Sequence, residues 1–499
     1  MTLAELLRAA SPRRIAGPVD IPISGLRHDS RAVVAGDLFF AMPGTKTDGN
    51  RHIKQALDNG AAAIFSELEP PPPPAVITGT WIQVADISEA MAGVSDIFFG
   101  HPSGALTVVG VTGTNGKTTT TYMLESIVAA AGGTPAVSGT IENRLNGKRL
   151  EKSINTTPIS LSLTKLMAQF RDGAASHALL EVSSHALALK RVEAIDFDAC
   201  IFLNLTSDHL DFHKTTEAYF DAKARLFDLL ARVDNRKRPK VAALNFDDPK
   251  AHLLVKRAIG CEIIRFGLSQ AAADLRATIH KSDLNGTAFE VTFQGKRYDA
   301  HVRLPGRHNV ENALAAGAAM LGLATPPAAI FDGLANLRTV PGRLESITEG
   351  QDFHVFVDYA HTDSALKTIL NLLKSLPHNR IITVVGCGGD RDKTKRGPMG
   401  LAACAGSDFA IFTSDNPRSE VPSSILSDIE GPVRAAGLQN YRIVPDRGEA
   451  IHAAISMARS SDVVLIAGKG HEDYQILRDR TIVFDDRVSA RSALNGLKK

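Results

Sequence analysis

A buried strand that leads directly into a glycine-rich loop constrains this chain more than any other feature. Residues 106–111 form an apolar, β-branched run, which is typical of a strand inside a parallel sheet. The next segment, GTNGKTT at 113–119, precedes a helix predicted over 118–131. Glycines let the backbone aim its N–H groups at phosphate, the Lys117 ammonium can reach terminal phosphates, and the Thr118 hydroxyl can bind Mg²⁺. The pattern predicts a nucleotide site formed by Gly113, Thr114, Asn115, Gly116, Lys117, Thr118 and Thr119.

This loop departs from the strict P-loop pattern at one position, because Val111 stands where that pattern has glycine. The strand before the loop and the helix after it still favour a phosphate site over a plain turn. No guanine-reading motif of the NKxD type is present, so the residues by themselves leave ATP and GTP both open.

Composition and length place the chain among globular proteins of about three domains, at roughly 150 residues each. Its 499 residues are 44% hydrophobic and carry a formal charge of +2. This balance excludes the broad basic surface of a general nucleic-acid binder. A basic cluster at 232–240 fits a solvated loop better than a nucleic-acid site.

Strand-like runs recur along the chain in two series. The first, at 178–182, 199–205 and 241–245, alternates with helical patterns and predicts a doubly wound α/β domain. The pattern restarts after a boundary near 340, and an earlier boundary falls near 103. Strands of the second series are predicted at 353–357, 381–385, 409–412 and 463–467.

Neither disulfides nor membrane spans are expected. The four cysteines contain no CxxC pair, and the N-terminus lacks the basic start and apolar core of a signal peptide. The longest apolar runs are strand-sized, whereas a transmembrane helix takes about 20 apolar residues. We therefore expect a cytoplasmic protein without membrane insertion.

A series of short segments resembles the Mur ligase family, whose members build the peptide stem of bacterial cell-wall precursors. The segments follow one another in family order and are DSR (29–31), GDLFFAMPG (36–44), GTNGKTT (113–119), NTTP (155–158), EVSSHAL (181–187), NLTSDHLDFH (204–213), YFDAKARLF (219–227), GRHNVEN (306–312), PGR (341–343), VDYAHT (357–362), GCGGDRD (386–392), DNPR (415–418) and AGKGHEDYQ (467–475). The resemblance thus spans most of the chain.

The resemblance implies three α/β domains. These are an N-terminal mixed α/β domain for the UDP-sugar substrate (1–103), a central P-loop ATPase-like domain with a mainly parallel sheet (104–339), and a C-terminal Rossmann-like domain for the amino acid (340–499). It also implies ATP and Mg²⁺ as cofactors and a monomeric enzyme. DNPR together with GDRD is typical of members that add the third amino acid of the stem, in the meso-diaminopimelate form.

The implied reaction is ATP-dependent amide formation through an acyl phosphate, which adds meso-2,6-diaminopimelate to the D-glutamate of UDP-N-acetylmuramoyl-L-alanyl-D-glutamate. By resemblance the catalytic residues are Lys117, Glu181, His209 and Lys223, and the metal ligands are Thr118, Glu181, His209 and Lys223 as a carbamate. Further ATP contacts are implied at His308, Asn309, Asn312, Arg343 and Asp358. The UDP-substrate contacts are implied at Ser30, Thr156, Thr157, Ser184 and Arg191.

Three positions near these residues carry separate expectations. Lys223 by composition alone would be a surface lysine, whereas the family's carbamate at this position would give Mg²⁺ hard oxygen ligands. His213 is expected to be a structural histidine rather than half of a zinc pair with His209. Leu189 stands where many relatives have glutamine, so one polar contact to the substrate is expected to be lost or replaced.

The amino-acid pocket is expected where DNPR follows the strand 409–412, because open α/β sheets bind ligands at the carboxyl ends of their strands. The Arg418 guanidinium can grip a carboxylate through two hydrogen bonds and would repel the lone ammonium of lysine. Glu472 would meet the distal ammonium of meso-diaminopimelate, and Arg391 the other carboxylate. The implied pocket residues are Arg391, Asp415, Asn416, Pro417, Arg418, Gly468 and Glu472.

Four other functions stay open at this point. They are an L-lysine-adding form of the same ligase, a folylpolyglutamate-synthetase-like ligase, a P-loop nucleotide hydrolase that binds partners, and a binding protein on an inactive ligase fold. The last is disfavoured because Lys117, Thr118, Glu181, His209 and Lys223 are all present.

Overall fold

The computed structural model describes residues 1–44, 48–70, 79–206 and 208–497. The chain divides into two compact units, each built from three stretches of sequence. Unit 1 comprises residues 1–277, 291–298 and 311–334, and unit 2 comprises residues 278–290, 299–310 and 335–499. In the described part of the chain, no helix is both long and apolar enough to cross a membrane.

The first domain is a five-stranded sheet flanked by short helices. Its elements are α1 (Leu3–Leu6), β1 (Arg14–Ala16), β2 (Gly25–Arg27), β3 (Asp37–Phe40), α2 (Ile53–Asp58), β4 (Ala63–Ser66), β5 (Thr80–Gln83) and α3 (Ile87–Phe98). The strand order is β1-β5-β4-β3-β2, with only β1 antiparallel to its neighbour. The mixed α/β character predicted for this domain is confirmed.

The second domain contains the phosphate-loop strand. Its elements are β6 (Thr107–Thr112), α4 (Lys117–Ala130), β7 (Pro135–Ser138), β8 (Glu142–Leu145), β9 (Lys148–Lys152), α5 (Ser160–Asp172), β10 (His177–Glu181), α6 (Ser184–Ala188), β11 (Ala199–Phe202), α7 (Leu210–His213), α8 (Thr216–Ala231), β12 (Val241–Asn245), α9 (Ala251–Leu254), β13 (Glu262–Gly267), β14 (Leu275–Asp283), β15 (Gly286–Phe293), β16 (Lys296–Val302), α10 (Arg307–Gly322) and α11 (Pro327–Asn336).

The central strands of this sheet are parallel, in the order β13-β12-β11-β6-β10-β7. Strand β6 lies between β10 and β11. The strands that follow β6 in the chain are therefore placed on both sides of it in the sheet, which makes the carboxyl end of β6 a topological switch point. That is the place where open α/β sheets bind ligands. The strands predicted at 178–182, 199–205 and 241–245 and the helix after the phosphate loop are confirmed. The prediction of a mainly parallel sheet is confirmed as well.

The third domain has a six-stranded sheet in the order β17-β18-β22-β19-β20-β21. Its elements are β17 (Glu345–Ser346), β18 (His354–Asp358), α12 (Asp363–Ser375), β19 (Ile381–Val385), α13 (Arg396–Gly406), β20 (Phe409–Phe412), α14 (Pro422–Ala435), β21 (Tyr441–Ile443), α15 (Arg447–Met457), β22 (Val463–Ala467), β23 (Tyr474–Ile476), β24 (Thr481–Val483) and α16 (Asp486–Gly496). All neighbours are parallel except β17 and β18.

Burial on both faces explains why these central strands are continuously apolar. Along β22, Val463, Leu465 and Ala467 pack into one core cluster, while Val464 and Ile466 pack into another on the opposite face. Alternate side chains of a strand point to opposite faces, so a sheet covered by helices on both sides needs apolar residues at every position. The predicted Rossmann-like class of this domain is thereby confirmed, whereas the boundaries at 103 and 340 stay predictions.

The basic cluster at 232–240 is a loop, but it is not simply solvated. Asn235 is fully buried and donates to the backbone carbonyls of Phe197 (2.9 Å) and Leu230 (3.2 Å). Lys237 Nζ lies 3.2 Å from Asp198 Oδ2. The prediction of a solvated loop is wrong in this respect, because some of its polar side chains fasten the loop to the ends of neighbouring elements.

A fully buried ion pair joins α15 to α16. Arg447 Nε and Nη2 donate to Asp486 Oδ1 and Oδ2 at 2.7 Å each, and both side chains are completely buried. Arg447 Nη2 also donates to the carbonyl of Ala467, at the carboxyl end of β22 (3.0 Å). The guanidinium thus fixes a strand end as well as two helices.

We expect Arg447→Met to lower the free energy of unfolding by about 3–5 kcal/mol, because it leaves the Asp486 carboxylate buried without its cation. Adding Asp486→Leu to this variant is expected to restore most of the loss. Urea denaturation followed by circular dichroism measures both. As a control, Lys54→Met removes the exposed Lys54–Asp58 pair and is expected to cost less than about 1 kcal/mol. Equal losses in the single buried and exposed variants would contradict the interpretation.

Candidate functional site

The phosphate loop connects β6 to α4 through two glycines in the left-handed region. Gly113 has φ 157° and Gly116 has φ 90°. A Cβ at Gly116 would lie 2.4 Å from Asn312 Oδ1, so the loop lies directly against the side chain of Asn312 on α10. Lys117 begins α4, and its Nζ donates to the carbonyls of Gly113 (2.7 Å) and Thr114 (3.0 Å). The predicted loop residues and Asn312 therefore lie together, at the N-terminus of a helix whose free N–H groups favour an anion.

A buried carboxylate stands beside this loop. Glu181 ends β10 and is 2% exposed. Its Oε2 accepts hydrogen bonds from Thr118 Oγ1 (3.0 Å) and Thr140 Oγ1 (2.8 Å), and its Oε1 accepts from the Thr140 backbone N–H (2.9 Å). A Cβ at Gly139 would lie 2.2 Å from Glu181 Oε1. The close approach of the carboxylate to this loop therefore favours glycine at position 139. The Thr118 hydroxyl and the Glu181 carboxylate are hard oxygen donors that fit Mg²⁺.

Lys223 is a buried lysine, not the surface residue that composition alone would suggest. It lies on α8, is 1% exposed, and its Nζ is 4.4 Å from the centre of the Tyr219 ring. Burial and the nearby Lys117 ammonium lower the pKa of Lys223 well below its usual value, against the opposite pull of Asp208. The Tyr219 hydroxyl lies 3.1 Å from Thr114 Oγ1, so α8 contacts the phosphate loop directly. The site therefore favours the neutral amine of Lys223.

Two histidines of the segment 204–213 differ in their surroundings. His213 is 8% exposed, and its Nε2 lies 3.0 Å from Ser184 Oγ, as expected of a structural histidine. His209 has φ 54° and a side chain that is 46% exposed, and its ring centre lies 6.1 Å from that of Tyr219. Of the two, His209 is the histidine open to a ligand. Within the described residues, no group of three His, Cys, Asp or Glu side chains is arranged to hold a metal ion.

Most of the predicted UDP-substrate residues gather after β10. Thr157 Oγ1 donates to the Glu181 carbonyl (2.8 Å) and accepts from the Ser183 N–H, while Arg191 Nη1 donates to the Thr157 carbonyl (2.8 Å). Thr156 Oγ1 lies 3.1 Å from Thr140 Oγ1. Thr157 thus contacts Glu181 through the main chain, and Thr156 contacts its carboxylate through Thr140.

Ser30 lies apart from that group, in the first domain. Its hydroxyl donates to Gln55 Oε1 (2.8 Å), and its carbonyl accepts from Asn59 Nδ2 (2.9 Å). Leu189, which replaces the glutamine of many relatives, is 42% exposed at the end of α6. An exposed leucine at this position donates no hydrogen bond to a substrate.

The other predicted nucleotide residues belong to unit 2. Asp358 ends β18 and is 5% exposed, and its carboxylate accepts from the N–H groups of Leu344 (2.7 Å) and Ala360 (2.8 Å). Burial raises the pKa of Asp358, against the opposing effect of nearby Arg343. His308 and Asn309 stand at the start of α10, where Asn309 Nδ2 donates to the Pro305 carbonyl (2.8 Å).

The predicted amino-acid residues come together at the carboxyl ends of β20 and β22. Arg418 has φ 52°, and its Nη1 donates to the carbonyl of Gly389 (2.8 Å). A Cβ at Gly389 would lie 1.9 Å from the Pro417 carbonyl oxygen, so only glycine allows the two loops to meet. A Cβ at Gly388 would contact both Arg418 Nη1 (2.9 Å) and Arg391 Cγ (3.7 Å). Arg391 and Arg418 are therefore neighbours.

Two acidic residues, Asp415 and Glu472, belong to the same group of loops. Asn416 Nδ2 donates to Glu472 Oε2 (2.9 Å), and both residues are largely buried. Gly468 has φ 114°, and a Cβ there would lie 3.0 Å from Asp415 Oδ2. Asp415 therefore lies against the turn that begins at Gly468 and contains Glu472. Together with Arg391 and Arg418, these residues give the site charges of both signs.

Sequence reasoning missed several residues that hold these groups. Thr140 binds the Glu181 carboxylate through both its N–H and its hydroxyl. Gln475 Nε2 donates to the Asp415 carbonyl (2.6 Å), and Lys469 lies inside the pocket. The segment AGKGHEDYQ that contains Lys469 and Gln475 was available as a signal, whereas nothing in the sequence around Thr140 indicated its role.

Family models match three consecutive parts of the chain. The Mur ligase family catalytic domain matches residues 22–99, the Mur ligase middle domain residues 111–320, and the Mur ligase glutamate ligase domain residues 342–470. The matches follow the order of the three sheets described above.

Full-length relatives agree with these models. The UDP-N-acetylmuramoyl-L-alanyl-D-glutamate--2,6-diaminopimelate ligase of Solibacter usitatus is 44% identical over 498 residues, which cover 99% of both chains. A solved structure of a ligase with that same name is 32% identical, with a TM-score of 0.72, and the match covers 100% of this chain and 99% of that one. The MurF ligase of Thermotoga maritima, crystallised in complex with ADP, is 21% identical with a TM-score of 0.59 over 89% of this chain and 94% of that one, which shows a shared fold. The chain belongs to the Mur ligase family.

Proposed function

We propose that this chain is an ATP-dependent ligase that adds meso-2,6-diaminopimelate to the D-glutamate of UDP-N-acetylmuramoyl-L-alanyl-D-glutamate in peptidoglycan precursor synthesis. The observation that carries the proposal is the end-to-end match, at 44% identity, with the ligase of that name. Its family uses ATP. The DNPR loop and Glu472, which lie in one pocket of unit 2, are the features that select the amino acid.

The chemistry sets three tasks for the chain. A carboxylate is a poor electrophile, so it is first phosphorylated by ATP to an acyl phosphate. The amine of the amino acid then attacks, and the tetrahedral intermediate expels phosphate. The protein has to bind the transferred phosphoryl group, to balance its charge, and to align the carboxylate and the amine.

The phosphate loop performs the first task. Its N–H groups and the N-terminus of α4 bind phosphate oxygens. The Lys117 ammonium, which here donates to the Gly113 and Thr114 carbonyls, would instead donate to the terminal phosphates of ATP. Thr118, Glu181, His209 and carbamylated Lys223 would hold Mg²⁺, which neutralises the charge of the transferred group. Thr140 keeps the Glu181 carboxylate oriented for this purpose.

Lys223 fits this role only after it is modified. An ammonium would repel a cation, but an uncharged amine, which the burial of Lys223 favours by lowering its pKa, can attack CO₂. A nitrogen–carbon bond forms, one proton leaves to solvent, and the product is an –NH–COO⁻ group. That group would supply two hard oxygens as ligands for Mg²⁺ and a negative charge in place of a positive one.

The remaining assignments follow the resemblance. Thr156, Thr157, Ser184, Arg191 and Ser30 are proposed to bind the UDP substrate, and His308, Asn309, Asn312, Arg343 and Asp358 to contact ATP. We propose a monomer that acts in the cytoplasm and binds no nucleic acid.

The deciding experiment measures phosphate release from ATP with UDP-N-acetylmuramoyl-L-alanyl-D-glutamate and either meso-diaminopimelate, L-lysine or no amino acid. We expect release only when the nucleotide sugar and meso-diaminopimelate are both present. Phosphate release that depends on L-lysine would support ligase activity but contradict the assignment of Arg418 to a meso-diaminopimelate pocket. Release with neither substrate would indicate a plain nucleotide hydrolase.

The proposal for Lys223 predicts a carbamate that can be observed directly. Protein equilibrated with ¹³C-bicarbonate near pH 8 is expected to show a carbamate carbon resonance that Lys223→Gln lacks and that disappears on acidification. The signal is expected at the higher pH because only the neutral amine reacts with CO₂, and the amine is neutral only above its lowered pKa. The matched control Lys165→Gln, at an exposed lysine of α5, should keep the resonance. An identical spectrum for Lys223→Gln and wild type would reject the modification.

The proposal for Arg418 predicts a loss of amino-acid selectivity. Removing a desolvated bidentate contact to a carboxylate costs roughly 2–5 kcal/mol. In a competition assay Arg418→Ala is therefore expected to lose its preference for meso-diaminopimelate over L-lysine, while KM for ATP stays close to that of the wild type. Arg434→Ala, at an exposed arginine of α14, serves as the control. Unchanged selectivity in Arg418→Ala would refute the assignment.

A further inference from the structure

A buried lysine lies in the amino-acid pocket. Lys469 follows Gly468 in the turn after β22, and its side chain is completely buried. Its Nζ donates to Glu472 Oε2 (3.0 Å) and to Asn416 Oδ1 (3.2 Å), and it lies 5.4 Å from the centre of the Tyr474 ring. A buried ammonium is costly unless it is paired and hydrogen-bonded, and both partners of Lys469 belong to this pocket.

The hydrogen bonds of Lys469 fix which oxygen of Glu472 faces a ligand. Within the described residues, Lys469 Nζ and Asn416 Nδ2 both donate to the same oxygen, Glu472 Oε2. Asn416 Oδ1 in turn accepts from the Ile476 N–H (3.0 Å), which ties this network to β23. The Glu472 side chain is 18% exposed. Its Oε1 is therefore the oxygen presented to the ammonium of an amino acid.

Lys469 also sets the charge balance of the pocket. With Arg391 and Arg418 it supplies three positive charges, and Asp415 and Glu472 supply two negative ones. The far end of meso-diaminopimelate carries an ammonium and a carboxylate, so it brings no net charge, whereas L-lysine brings an uncompensated ammonium. Without Lys469 the Glu472 carboxylate would lose the positive charge that lies 3.0 Å from its Oε2, and this loss favours a lone ammonium beside it.

We propose that Lys469 is a positioning residue that determines the specificity of the pocket for zwitterionic amino-acid side chains. It orients the Glu472 carboxylate and offsets its negative charge locally, so that a ligand ammonium is bound only together with a ligand carboxylate. This assignment rests on the proposed function, and it adds to it a residue that selects between the two amino acids.

The test compares Lys469→Gln, Lys469→Met and Lys469→Arg with the wild type in full kinetic measurements for meso-diaminopimelate, L-lysine and ATP. Lys469→Gln keeps a hydrogen-bond donor and loses the charge. In the Gln and Met variants we expect KM for meso-diaminopimelate to rise about tenfold or more, with kcat and the KM for ATP within about threefold. The ratio of kcat/KM for meso-diaminopimelate to that for L-lysine should fall about tenfold or more.

Two controls make the result specific. Lys469→Arg keeps the charge and is expected to retain the wild-type preference, and Lys367→Met, at an exposed lysine of α12, is expected to change nothing. An active Lys469→Gln enzyme with unchanged selectivity, or with equal losses for both amino acids, would overturn the assignment even if Lys469→Met did not fold. A wild type that does not use meso-diaminopimelate would overturn the proposed function and this assignment together.

Discussion

The buried carboxylate of Glu181 is the interaction on which the nucleotide side of the molecule depends. A carboxylate taken out of water has to receive hydrogen bonds, and at the end of β10 its donors come from elsewhere in the chain. Thr118 comes from the phosphate-loop helix, and Thr140 from the loop after β7. Thr140 is in turn adjacent to Thr156. One buried carboxylate therefore connects the phosphate loop, through Thr118, to the segment that contains Thr156, through Thr140.

The third domain also uses a largely buried ion pair to hold its loops. Arg396 Nη2 donates to Glu420 Oε1 (2.8 Å), and its side chain is 1% exposed. Hydrogen bonds from Arg396 and from the Asp390 N–H lower the pKa of Glu420 to about 2. Glu420 therefore connects both the GCGGDRD segment, through Asp390, and the start of α13, through Arg396, to the chain just beyond DNPR. The charges proposed to select the ligand thus lie among charges that only hold loops in place, and burial alone does not distinguish the two kinds.

Sequence reasoning recovered what is encoded by local patterns. The apolar runs at 241–245 and 381–385 are strands β12 and β19 with the predicted ends, because full burial on both faces leaves an uninterrupted apolar run. The residues 415–418 were assigned to a pocket by resemblance. Lys223 shows the limit of composition, since a lysine on an amphipathic helix looks the same whether its own face is buried or exposed. Thr140 was missed because its partner Glu181 is 41 residues away in sequence, and Lys469 was missed although one partner, Glu472, is only three residues away.

The interleaved course of the chain through its two units has a consequence for synthesis on the ribosome. Leu284 belongs to unit 2 and packs in one core cluster with Leu344 and Phe356, yet it is made before residues 311–334, which complete unit 1. Domains usually fold in the order in which they are made. Here the apolar side chain of Leu284 must wait for β18 before it is covered, so the nascent chain carries a piece of an unfinished core while unit 1 is still being completed.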